Sequence, residues 1–235
     1  MFHSAQNAAA AVTRFGDFMG YLIRRRCAIL LLFCCGGISM DLQSAVTQTE
    51  NRNAEHFTTW RKALPDRDKA VDGFEAFLQQ QQLSGLVPLH QLLRSASMWQ
   101  DCKAEPYAIP PDLSWPDVSR TLQLLRELKQ QGILTQVEVH SAYREPKLNR
   151  CAGGASKSAH RVSFALDLAP LADQNATARL CQFWRQHGEK WQMGLSRYPS
   201  GRIHIDTMRY RTWGADHSKR SSLCLSSAGP GLSVK

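Results

Sequence analysis

Two short segments, far apart in the chain, constrain this sequence more than any other feature: Ser158 to Asp167, and Ile203-His-Ile-Asp206. In the second, His204 and Asp206 alternate with Ile203 and Ile205, the period of a half-buried strand, so both polar side chains share one face roughly 7 Å apart. In the first, His160 is read as leaving a loop, and Asp167 lies on the following strand, on the same face as Ala165. Both halves become useful only if the fold brings them together. Two histidines and a carboxylate, with a fourth position open to water, form the ligand pattern of a catalytic zinc site. A closed structural site would want four Cys or His ligands, and no Cys-x-x-Cys pair lies near these residues. The chain therefore reads as a zinc hydrolase that binds one Zn2+.

Composition bounds the alternatives. With 235 residues, 43% hydrophobic and 21% charged, the chain suits one globular domain with an appendage. Arg24-Arg25-Arg26 precedes an uncharged run from Cys27 to Met40, too short to span a bilayer and laid out like a secretory signal. Residues 1–40 are thus expected to be a signal peptide or an uncleaved anchor, which would be the membrane contact, and the rest is expected to be exported to the periplasm or cell envelope. Four cysteines remain beyond that segment, Cys102, Cys151, Cys181 and Cys224. Two disulfides are expected in an oxidising compartment, with three possible pairings. Without residues 1–39 there remain 25 basic and 19 acidic residues, a net +6. That suits a surface near an anionic polymer, and no basic stripe with interleaved aromatics points to nucleic acid.

Residues 41–86 are read as a polar linker up to Pro65 followed by an amphipathic helix over 66–82, where Val71, Phe74, Phe77 and Leu78 recur at helical spacing. Further helices are expected near Leu89 to Leu93, from Ser114 or Pro116 to Gly132, and over 176–187 with Gly188 closing it. Strands are expected over 135–143, 164–168 and 202–207. This makes an α+β domain over 87–213, a small and mostly antiparallel sheet with helices packed on it. Residues 214–235 are expected to be a disordered tail.

Ser141-Ala-Tyr-Arg144, Asn149, Gly153-Gly154-Ala155, Ser158-Ala-His160, Ala165-Leu-Asp167 and His204-Ile-Asp206 occur in one order. That order resembles the zinc D-Ala-D-Ala carboxypeptidase family, which cleaves peptidoglycan stem peptides on a hedgehog-like DD-peptidase fold. The resemblance implies His160, Asp167 and His204 as metal ligands, and substrate roles for Arg144, Tyr143 and Ser158. In one familiar version of the family an acid lies three residues before the last histidine; here that position is Gly201. Asp206 then either serves as the catalytic base or orients His204. Carboxypeptidase and endopeptidase action both stay open, and a non-catalytic wall-binding domain with the same fold is the alternative.

Overall fold

The computed structural model describes residues 52–171, 173 and 175–225. The expected signal or anchor over 1–40 lies outside the described residues. Among the described residues, no helix is long and apolar enough to cross a membrane.

Helix α1 (Ala54–Lys62) lies within the segment expected to be a linker. Its polar composition hides two strong local signals. The Asn53 side chain accepts a hydrogen bond from the His56 N–H, an N-cap, and Phe57 turns into the core. Helix α2 (Pro65–Gln80) starts on its proline and buries Val71, Phe74 and Leu78, the stripe its spacing predicts. A single turn, α3 (Leu89–Leu92), leads to a proline-rich connection that ends in a 3-10 turn at Asp112–Ser114. Helix α4 (Trp115–Gln130) buries Val118, Leu122, Leu125 and Leu128. Gly132, at φ +67°, then reverses the chain in the left-handed region that favours glycine.

Strand β1 (Val139–Ser141) is much shorter than the expected 135–143. Its flanks bond elsewhere: the Val139 N–H donates to Gln91 Oε1 and the Ala142 N–H to the Arg94 carbonyl. Then follow α5 (Pro146–Cys151), α6 (Ala159–Val162) and β2 (Ala165–Leu168). His160 therefore sits on a one-turn helix instead of a loop. Helix α7 (Ala176–Trp191) runs through Gly188 instead of stopping there. A Cβ at Gly188 would lie 2.8 Å from the Tyr210 ring, so this glycine serves close packing inside the helix. The chain finishes with β3 (Gly194–Arg197), β4 (Ile203–Asp206) and β5 (Arg211–Trp213). Neither β3 nor β5 was expected from the sequence.

The five strands order as β1-β2-β4-β3-β5, antiparallel except for the parallel β3–β5 pair. Register decides everything that follows. Leu166 faces Ile205 and Leu168 faces Ile203 across the β2–β4 ladder, while Asp167 pairs with His204 and Ala165 with Asp206. One face of the sheet is thus apolar and the other carries the charged pairs. A one-residue slip would exchange the two faces.

The apolar face closes one core that runs from Phe57 in α1 through Val71, Phe74, Leu122 and Leu125 to Leu195 and Ile205. The N-terminal helices therefore share the core of the domain. They are also pinned to it by Arg52, whose side chain is 1% exposed. Its guanidinium donates to the carbonyls of Ser95 (3.1 Å) and His140 (3.2 Å), and Arg94 donates back to the Arg52 carbonyl. Arg52→Ala is expected to destabilise the fold by about 2–3 kcal/mol, the magnitude of lost hydrogen bonds to a charged group. Urea melts of the two proteins check this, and equal midpoints would refute the pinning role.

Two disulfides join Cys102 to Cys151 and Cys181 to Cys224. The second holds residues 214–225 against α7, and Thr212 and Ser222 share a 2.7 Å hydroxyl contact. The disordered tail expected from residue 214 therefore does not begin there: residues 214–225 are turns tied down covalently.

Candidate metal centre

The polar face of the sheet gathers Ser141, Asp167, His204, Asp206, Arg211 and Trp213 from four strands. His160 comes to it from α6. Its ring is oriented by Nδ1, which donates to the Ala142 carbonyl at 2.6 Å, and its backbone carbonyl accepts from the Arg144 N–H at 2.8 Å. The loop before it is shaped by the buried Asn149, whose amide donates to the carbonyls of Gly154 and Ala155. A Cβ at Gly154 would come within 2.2 Å of Asn149 Oδ1, so the second glycine of that pair is required by close approach.

His160 Nε2, His204 Nδ1 and Asp167 Oδ1 form a triangle, each pair 3.1 Å apart. All three residues are buried. The outward nitrogen of His204, Nε2, donates to Asp206 Oδ2 at 2.8 Å, and His160 Nδ1 is committed to Ala142. The two inward nitrogens are therefore the lone-pair ends of neutral rings, and they meet a carboxylate oxygen. Three acceptors at this separation repel unless a cation lies between them. The edge of a tetrahedron with zinc bonds of 2.0–2.1 Å is about 3.3 Å. The donor set fits zinc in atom type, tautomer and spacing.

Each donor has a partner behind it. Arg144 is hydrogen-bonded and ion-paired to Asp167 Oδ2 and donates from Nε to Ser141 Oγ at 2.8 Å. Asp206 is fully buried. Its Oδ1 accepts from the Met208 N–H and Arg211, and its Oδ2 from Arg211 and His204. The Arg211 guanidinium also lies over the Trp213 ring at 4.6 Å, and that ring meets His204 edge-on with centroids 5.1 Å apart. Gly194 makes room: a Cβ there would sit 2.2 Å from Asp206 Oδ2.

Charge follows from these contacts. Burial, then the Arg144 cation, push His160 down to about 4. Burial opposes charge on Asp167, but His160 and Arg144 hold its carboxyl well below the usual range. Burial acts against a charged His204 too, yet its bonds to Asp167 and Asp206 raise it overall. The triangle thus attracts a cation. His140, on the β1 bulge and outside the triangle, is also lowered to about 4, by burial and by Arg202. His160 and His140 are neutral when folded and regain ordinary values near 6.5 when unfolded. Their contribution to stability is complete above about pH 6.5 and is lost as pH falls toward 4. Thermal melts of the zinc-free chain should decline across that window, and a flat profile would contradict these assignments.

The sequence-derived ligands His160, Asp167 and His204 come together as a set. Arg144 faces Asp167. Tyr143 is half-buried and packs against the core, and Ser158 begins α6 with its carbonyl accepting from Arg161 and Val162. Both Asp206 oxygens are taken on the far side of the His204 ring, away from the triangle. Gly201 occupies a hairpin turn at φ +83°. Missed from the sequence were Gly194 and Tyr198, on or beside the unforeseen strand β3. Tyr198 brings its hydroxyl to 3.4 Å from His204 Nδ1.

A buried His-Asp-His triangle on one face of a small mixed sheet, with helices on the other, defines an α+β domain with a candidate site for one metal ion. Residues 92–206 match the family described as peptidase M15. That family is of zinc D-Ala-D-Ala carboxypeptidase type, and its members are zinc-dependent metallopeptidases. No curated protein and no solved structure matches the chain.

Proposed function

We propose that this chain is an exported zinc metallopeptidase that hydrolyses peptide bonds in peptidoglycan stem peptides, as a D,D-carboxypeptidase or a related endopeptidase. The observation that carries this reading is the convergence of three lone pairs at 3.1 Å, each donor held by its own partner. Zinc held by His160, Asp167 and His204 supplies a nucleophile by lowering the pKa of a water to about 7. The protein's part is to keep the donors in place. Ala142 fixes the tautomer of His160, Asp206 that of His204, and Arg144 the orientation of Asp167. Asp206 is proposed to orient His204 and not to act as base, since neither of its oxygens is free to take a proton from substrate water.

Tyr143 and Ser158, which adjoin Arg144 and His160 in the chain, are proposed to contact the substrate peptide. Two disulfides support an oxidising, exported location. The net charge of +6 without the leader suits the anionic wall. A second reading, a wall-binding domain without catalysis, is favoured by one observation: the turn residue Gly201 supplies no acid where relatives of the familiar pattern have one.

Incubating the zinc-loaded chain with muropeptides and following products by mass spectrometry separates these readings. Loss of a terminal alanine marks a carboxypeptidase, and a severed crosslink or stem marks an endopeptidase. Intact muropeptides that nonetheless bind the chain would establish the wall-binding reading.

A further inference from the structure

The hairpin joining β3 to β4 carries a hydroxyl to the metal centre, and no motif pointed to it. Tyr198 follows directly on β3. Its N–H donates to the Arg202 carbonyl at 2.9 Å, and its carbonyl accepts from the Gly201 N–H at 2.9 Å. Gly201 closes this turn in the left-handed region, with Pro170 3.3 Å from where a Cβ would lie. The glycine that replaces the familiar acid therefore shapes the turn that positions the tyrosine. The phenol ring meets the His204 ring edge-on, centroids 6.3 Å apart at 84°.

The donors around the triangle are not equally free. Arg144 is committed through Nε and one terminal nitrogen to Ser141 and Asp167, and Arg211 is committed to Asp206. Tyr198 reaches His204 Nδ1 at 3.4 Å, the same lone pair a metal would occupy, and its hydroxyl also neighbours Asp167 and Arg144. Once that nitrogen binds metal, the Tyr198 O–H loses this contact while remaining beside the site. A donor released from that nitrogen, and held by no short bond, is available to a substrate oxygen.

We infer that Tyr198 is a catalytic residue of the proposed peptidase, donating a hydrogen bond to the scissile carbonyl oxygen as it becomes an oxyanion. This rests on the peptidase reading above. The overall step consumes one water, breaks the C–N bond and releases a carboxylate and an amine. Tyr198 keeps its proton throughout, acting as a hydrogen-bond donor and not as an acid.

The test compares the zinc-loaded wild type with Tyr198→Phe, which keeps the ring and removes the donor. Muropeptide turnover, zinc affinity and the Kd of a phosphinate dipeptide, whose tetrahedral oxygens mimic the oxyanion, are measured for both. The expected result is a fall in kcat of about 10²-fold, the cost of removing one oxyanion donor, with KM unchanged. Phosphinate binding should weaken in parallel while zinc affinity stays the same. Unchanged kcat and phosphinate Kd in Tyr198→Phe would overturn the assignment, as would a loss confined to zinc affinity, which would make the tyrosine a support for the metal. If the wild type itself neither cleaves muropeptides nor binds the phosphinate, the peptidase reading fails and takes this role with it.

Discussion

His204→Ala is expected to abolish stoichiometric zinc binding and to lower peptidase activity by about 10³-fold or more, because the activated water is lost with the metal. The wild-type chain should hold about one zinc, as a three-ligand catalytic site does. Removing the imidazole deletes one corner of a triangle whose edges are each 3.1 Å. It also leaves His160 and Asp167 as two donors, too few to retain the ion through dialysis. Elemental analysis after dialysis, together with muropeptide turnover, reads both effects. Circular dichroism separates them from unfolding, since Asp206 keeps its pairing with Arg211 in the variant. A variant that retained a full zinc complement would show that the three residues are not the ligand set.

The second large effect is expected at Asp206, and it distinguishes two roles. Asp206→Ala leaves the Arg211 guanidinium and His204 Nε2 facing a buried void. Breaking a buried charge pair from one side typically costs about 3–5 kcal/mol. The loss of a partner behind a metal-binding histidine weakens metal affinity by about 10–100-fold. Asp206→Asn retains a carbonyl oxygen able to accept from His204 Nε2–H, so it should recover much of the zinc affinity and, with zinc saturating, much of the activity. A catalytic base would behave differently: asparagine cannot take a proton, so the Asn variant would bind zinc fully and remain inactive. Zinc titration and saturated turnover of the two variants therefore decide between orientation and proton transfer. The buried carboxylate with both oxygens occupied predicts the first pattern.

The helices were legible wherever apolar residues recurred at three and four positions, as in Val71, Phe74 and Leu78 or Val118, Leu122 and Leu125. Helix α1 was not, because one buried phenylalanine among polar residues carries little periodic signal, and its stability comes from a cap and from a core built by distant segments. Strands β3 and β5 escaped for a related reason. Gly194-Leu-Ser-Arg197 and Arg211-Thr-Trp213 are too short to show alternation, and their glycine and arginine make sense only against Asp206.

What the sequence alone determined was which residues share a face. The period of two in Ile203-His-Ile-Asp206 and in Ala165-Leu-Asp167 puts the ligands on one side of their strands whatever those strands pair with. Tertiary structure decided the register that sets Asp167 opposite His204, the ring nitrogen each histidine turns inward, and the guanidinium behind each acid. Several of those contacts join distant segments, such as Arg144 to Asp167, 23 residues apart, and His160 to His204, 44 apart. Local spacing cannot encode such contacts, because they arise only when the apolar face of the sheet closes on the helices and leaves its polar face to converge.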